Sequence, residues 1–315
     1  MKPQNSIDPA SWLSALPDDV PISDINLPGS HNAAAINTQR PTRWACQRHS
    51  ITEQLQRGIR LLDIRLKPKR RQNTYDLLTC HGHLGPFGAN EFQTLESLMQ
   101  ECTAFLKSSP SETIIMTIQI DDWRRTPTKA YAQILESLKT KLSRLPLLRT
   151  PKIPTLKDCR GRIFLINRIN DDPALGVPIT IPDNTPGTML RPTAQRQYEV
   201  YVQDQYKRLN KRNPGAHKLR LTIEAQEKRP KNALLLNFAS ATKPFGRFVY
   251  IMQELSVYLV HQSASPGRQL GWLLLDYPFG TAKQATAKQA TTDLIPLIIA
   301  SNYPLASAPT HYPAI

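Results

Sequence analysis

The chain predicts an α/β protein, a TIM-type (βα)8-like barrel in a single domain. Three observations carry this expectation. Roughly eight apolar, β-branched stretches recur, most of them separated by a helical pattern or a long crossover. The length of 315 residues suits one large domain or two small ones, and no linker divides it. Several of the stretches end in His, Asp, Arg or Asn, the side chains that gather chemistry at the C-terminal rim of such a barrel.

Composition narrows the class. Hydrophobic content of 40% with 21% charged residues excludes a disordered chain, and no apolar run reaches the length of a membrane span. The opening MKPQNSIDPASWLSALPDD has no apolar h-region, so no secretory signal peptide is expected. The chain is expected to be soluble, either cytoplasmic or exported by a route that ignores such a signal. Cys46, Cys80, Cys102 and Cys159 show no CxxC spacing, which predicts free thiols, and no zinc-ligand cluster stands out. Forty Lys and Arg against 25 Asp and Glu give a formal charge of +15. An anionic partner would explain it, whether nucleic acid, a membrane surface or a phosphorylated substrate; a solvated basic surface would too.

In chain order, residues 1–20 read as an N-terminal cap in which Trp12 and Leu13 pack on the body, and 21–315 as the barrel. INLPGSHN, residues 25–32, reads as a short strand, a Pro-Gly turn and then His31 beside Asn32. Ser50 with Glu53 three residues on predicts a capping box, and Gly58 the end of that helix. In IRLLDIRL (59–66), alternation puts Asp63 and Arg65 on one face, either lining a cavity or wetting an edge strand. A basic turn, KPKRRQN, leads to a strand at 75–80 that stops at His81-Gly82-His83. Helical spacing covers 91–107 and 128–145, with a strand at 113–120 between them ending in Asp121 and Asp122. A strand at 162–168 ends in Arg168, and 171–192 reads as a long irregular loop. A strand at 198–203 leads to Asp204 and Tyr206, then a basic helical region broken at Asn213-Pro214-Gly215. Strands at 233–237 and 271–276, with helices at 246–261 and 291–300, complete the pattern.

The rim of such a barrel would gather His31, Asn32, Asp63, Arg65, His81, Gln119, Asp121, Arg168, Asp204, Tyr206 and Asp276. Two histidines and a cation match the needs of phosphodiester cleavage by an internal hydroxyl. One imidazole takes the attacking proton, the other protonates the leaving alkoxide, and an arginine neutralises the phosphoryl oxygens. A carboxylate such as Asp276 fixes the tautomer of the base.

LPGSHN, ITEQLQRGIRLLDIRL, CHG, ETIIMTIQID, YVQDQYK and GWLLLDYP together resemble the bacterial phosphatidylinositol-specific phospholipases C and their catalytic X domain, over residues 22–279. The resemblance implies a distorted, incompletely closed barrel that cleaves phosphatidylinositol to diacylglycerol and inositol 1,2-cyclic phosphate. It implies His31 as general base, His81 as general acid, Arg65 as the phosphate-stabilising cation, Asp63 as its strand neighbour and Asp276 as partner of the base. Arg168, Asp204 and Tyr206 match residues that hold the inositol ring, with Gln119 and Asp121 at the same rim. Two positions depart from the family. Many members carry an aspartate, paired with the acid histidine, where this chain has Asn32, and close relatives carry a lysine where it has Gln119. An asparagine carbonyl could still accept a hydrogen bond from His81, while His83 is a lower-ranked candidate acid.

No cofactor and no metal ligands are expected, because Arg65 stands where the calcium-dependent branch needs a carboxylate. The implied partner is phosphatidylinositol in membranes, met peripherally at an anionic surface. Two alternatives remain, a catalytically weak inositide-binding protein and a metal-dependent glycerophosphodiesterase-like barrel. Nucleic-acid binding, suggested by charge alone, has no motif and ranks last.

Overall fold

A computed structural model describes residues 7–36, 45–72, 74–82, 90–121, 128–210, 212–240, 270–279 and 293–303. The helix expected at 246–261, His83 and Asp122 lie outside the described residues. The architecture is the expected α/β barrel, single-domain and distorted. Its first strands are β1 (Leu27–Ser30), β2 (Leu61–Arg71), β3 (Thr74–His81), β4 (Asn90–Thr94), β5 (Ile114–Ile120) and β6 (Leu147–Leu148). Then come β7 (Ile163–Asn167), β8 (Val177–Pro178), β9 (Thr188–Leu190), β10 (Val200–Gln203), β11 (Leu234–Phe238) and β12 (Trp272–Leu275). The helices are α1 (Ile51–Gln56), α2 (Leu95–Ser108), α3 (Thr128–Leu142), α4 (Leu156–Cys159), α5 (Pro214–Lys228) and α6 (Ile295–Ala300).

Among the described residues one sheet holds all twelve strands: nine run in the order β6-β7-β5-β2-β1-β12-β11-β10-β9, while β3 pairs with β2, β4 with β3 and β8 with β7. The first strand and the last lie side by side in parallel, as barrel closure requires. Among the described residues no pairing joins β6 or β8 to β9, so the ring stays open on that side. Strands β7, β10, β11 and β12 are buried along their whole length, which is why they read as continuous apolar runs. Phe164 and Trp272 meet edge to face in that core, with ring centroids 6.5 Å apart.

Pro28 and Gly29 lie inside β1 rather than in a turn after it. Gly29 is needed there: a β-carbon would come within 2.7 Å of the Leu273 carbonyl oxygen on the neighbouring strand. The run 67–71 is the outer half of β2, not a turn, and pairs antiparallel with β3. Residues 91–94 belong to β4, with α2 starting only at Leu95 behind a Thr94 cap. The stretch 171–192 contains a 3-10 helix at Pro173–Leu175 and the short strands β8 and β9. Asn213-Pro214 begins α5 rather than breaking a helix, because Asn213 accepts from the Ala216 N–H and proline suits the first turn. The capping box of α1 forms as expected, with Ser50 N–H donating to Glu53 Oε2 at 2.8 Å.

At the end of the barrel opposite the rim, the 3-10 helix Pro9–Ala15 buries Trp12 and Leu13, and Trp12 Nε1 donates to Gly58 O at 3.0 Å. Arg60 and Glu112, both without solvent exposure, form an ion pair of 2.7 Å there. The same guanidinium donates to the Pro9 and Ala10 carbonyls, which ties this segment to the strand starts.

Candidate active site

Strand register builds the site. Ser30 pairs with Leu275, so His31 and Asp276 each stand one residue beyond neighbouring parallel strands. His31 N–H donates to Leu275 O at 3.0 Å, and His31 Nδ1 lies 2.8 Å from Asp276 Oδ1. With Nδ1–H given to the carboxylate, Nε2 keeps its lone pair, the tautomer a general base requires.

On the other flank, Asp63 pairs with Thr117 and Arg65 with Gln119 in the β2–β5 register. β2 pairs with β1 on one side and β5 on the other, so it is not an edge strand, and Asp63 on it is fully buried. It accepts from Thr117 Oγ1 at 2.8 Å, Arg168 Nη1 at 3.1 Å and the Asn32 N–H at 3.1 Å, with Arg65 Nε 3.9 Å away. Burial alone would raise its pKa, but Arg168 and then Arg65 outweigh it and hold the carboxyl at about 2. The Arg65 pKa is raised: burial works against its charge, but Asp63, Asp121 and Asp204 outweigh it. Arg168 also lies over the Phe238 ring, 5.5 Å from its centroid, and Phe238 meets His31 edge to face.

His81 arrives by a different route. Its strand is not a parallel barrel strand; β2 overshoots the rim and β3 returns antiparallel, delivering His81 back to it. The His31 and His81 rings are edge to face with centroids 6.0 Å apart.

The Asn32 side chain lies against His31. Asn32 sits in the left-handed region, φ 43°, which asparagine tolerates better than most residues. Its Nδ2 lies 3.0 Å from His31 Nε2, and its buried Oδ1 has no hydrogen-bond partner among the described residues. Cys46 Sγ lies 3.4 Å from His81 Nδ1. The sequence marked Cys46 only as an unpaired thiol and not as a site residue; it lies on a loop, 15 residues after His31 by numbering, with no patterned neighbour. Gln47 was missed for the same reason, and its Nε2 pins that loop to His31 O and Leu275 O. Thr117 was legible, as a polar residue two positions before Gln119 on the same strand face.

The ring-holding candidates fall into neighbouring groups. Asp204 is buried, and burial raises its pKa against the pull of Arg168 and Lys218. Lys218 lies beneath it without solvent exposure, donating to Gln203 Oε1 at 2.8 Å and Gln205 O at 2.6 Å. Gln119 Nε2 donates to Asp121 Oδ1 at 3.2 Å, beside Cys80. Tyr206 donates to Asp183 Oδ1 at 2.6 Å, and Lys207 covers its ring at 4.6 Å.

Residues 19–169 match the family model described as phosphatidylinositol-specific phospholipase C, X domain. That match spans just under half of the chain. The chain is 27% identical to a 1-phosphatidylinositol phosphodiesterase of Listeria monocytogenes, over 87% of this chain and 83% of that protein. A 1-phosphatidylinositol phosphodiesterase of Staphylococcus aureus strain Newman is 24% identical over 85% of this chain and 88% of its own. A solved mutant of the S. aureus phosphatidylinositol-specific phospholipase C superposes with a TM-score of 0.74 at 23% identity. That superposition covers 95% of this chain and 99% of the other, and it shows a shared fold. The L. monocytogenes enzyme gives a TM-score of 0.66 at 22% identity, over 95% and 100% of the two chains.

None of the four cysteines forms a disulfide, as expected, and all four are buried. Among the described residues no helix is long and apolar enough to cross a membrane. Much of the positive charge in the two basic runs has local partners. Lys67 and Lys69 share Glu91, Arg71 pairs with Asp76, Lys207 with Asp183 and Arg220 with Glu224.

Proposed function

We propose that this protein is a phosphatidylinositol-specific phospholipase C that needs no metal ion. The observation that carries the reading is the 2.8 Å contact of His31 Nδ1 with Asp276, with a second histidine ring 6.0 Å away. His31 Nε2 removes the inositol 2-hydroxyl proton as that oxygen attacks phosphorus. Arg65 neutralises charge gathering on the phosphoryl oxygens, and the Asp276 carboxylate stabilises the imidazolium formed on His31. His81 protonates the departing diacylglycerol oxygen, leaving inositol 1,2-cyclic phosphate. Arg168 and Asp204 are assigned to the inositol hydroxyls and Tyr206 to one face of the ring.

A fixed guanidinium supports metal independence, since Arg65 and Arg168 flank the buried carboxylate a hard cation would need. Phosphorus NMR on phosphatidylinositol vesicles in a strong chelator tests the reading. A cyclic phosphate product is expected; a linear monoester first product, or activity restored only by calcium, would overturn it. Cations left over from local pairing draw the protein to an anionic leaflet, each worth on the order of 1 kcal/mol and screened by salt. Vesicle co-sedimentation should therefore weaken from low to physiological salt.

One observation favours a second reading, an inositide binder with little turnover: the Asn32 amide occupies the base nitrogen. Such a protein would bind phosphatidylinositol vesicles and release no cyclic phosphate.

A further inference from the structure

We propose that the catalytic centre is also an inhibitory site for one thiophilic divalent ion of the zinc class. Its ligands are Cys46 Sγ, His31 and Asp276, with His81 completing the set. The ligand atoms of the first three residues lie within 4.8 Å of one another, and His81 Nδ1 is 3.4 Å from the sulfur. Bonds of about 2.0–2.3 Å in a tetrahedral site place ligand atoms about 3.5 Å apart, so small side-chain movements close the set. Thiolate and imidazole are the donors that select zinc over calcium or magnesium, and zinc also accepts a carboxylate.

The cysteine is held in place. Its N–H donates to Ala35 O at 2.9 Å, its carbonyl accepts from Tyr277 N–H at 2.9 Å, and Gln47 anchors the next residue. Coordination forms the metal–sulfur bond and sends the Cys46 thiol proton to solvent. Thiolate and Asp276 then supply two negative charges for the dication. Burial, and then Asp276, push the Cys46 thiol pKa well up, so the free thiol is a poor nucleophile and not poised for oxidation. Arg65 disfavours a cation held by charge alone, which leaves ions that gain a covalent bond to sulfur.

Binding and inhibition are separable: inhibition rests on the proposed phospholipase reading, whereas coordination does not. The metal-free full chain is titrated with Co2+ and followed by thiolate-to-cobalt absorption in the near ultraviolet, then with Zn2+ during phosphatidylinositol turnover. One equivalent of Co2+ should produce the band in the wild type and in Cys80→Ser, but not in Cys46→Ser or Cys46→Ala. Zinc at one equivalent should stop turnover, reversed by chelator. Losing the sulfur should raise the half-inhibiting zinc concentration by more than about 100-fold, beyond the 10- to 100-fold typical of an outer-shell partner. No band in the wild type, a band that survives in both Cys46 variants, or equal zinc sensitivity would overturn the proposal. A normal cobalt band in a protein that never releases cyclic phosphate would keep the metal site and remove the phospholipase reading instead.

Discussion

Asn32 Nδ2 stands 3.0 Å from His31 Nε2, the nitrogen that accepts the substrate proton in the proposed mechanism. An amide N–H aimed at Nε2 competes with the attacking hydroxyl for its lone pair. Asn32→Asp would replace that donor with a carboxylate and favour a proton on Nε2. The base limb of the pH–rate profile should move to higher pH and turnover near neutrality should fall. Parallel profiles of the two proteins check this; a variant that is faster at neutral pH would show that residue 32 serves His81 instead.

Removing either histidine should cost turnover and spare affinity. His31→Ala and His81→Ala are each expected to lose about two to four orders of magnitude in kcat, the usual weight of a general acid or base. Vesicle binding should stay near wild type. Near-normal kcat in either variant would take that residue out of its role.

Asp63 gathers Asn32, Thr117, Arg168 and Arg65 around one buried carboxylate. Asp63→Asn leaves two guanidinium groups short of charge and should destabilise by about 3–5 kcal/mol, as breaking one partner of a buried pair does. With a folded pKa of about 2, this carboxylate contributes stability above the ordinary carboxylate pKa. The contribution drains away as pH falls through about 2. Urea unfolding of both proteins at neutral and acidic pH should show the gap narrowing in acid; a gap indifferent to pH would mean Asp63 acts through packing alone.

Lys218 works in the opposite range. Burial pushes its ammonium pKa down to about 7, against the pull of Asp204 and Asp276. An unfolded lysine holds its proton to about 10.4, so between these values the unfolded chain binds more protons and stability rises with pH. Lys218→Met should abolish that alkaline gain while orphaning Gln205 O, at about 1–3 kcal/mol, whereas Gln203 Oε1 keeps the Gln205 N–H. Melting curves at slightly acid and alkaline pH decide it; equal pH slopes in the two proteins would contradict the assignment.

Sequence alone determined the local features. The Ser50–Glu53 box and the positive φ of Gly58 depend on neighbours a few residues away, so they were readable. The alternation of Asp63 with Leu62 and Ile64 set one polar face, and apolar runs such as 272–275 marked the strands buried on both sides. His31 and Asp276 were legible because each ends such a run. What tertiary structure decided is which of these ends meet. Ser30 opposite Leu275 puts base beside carboxylate across 245 residues of chain, and no local pattern encodes a register. The antiparallel return of β3 carries His81 to a rim that a parallel count gave to a barrel strand. Cys46 and the direction of the Asn32 amide were invisible for the same reason. Their contacts depend on where separate loops are packed, and a side chain's hydrogen-bond partner is settled by that packing rather than by its own neighbours in sequence.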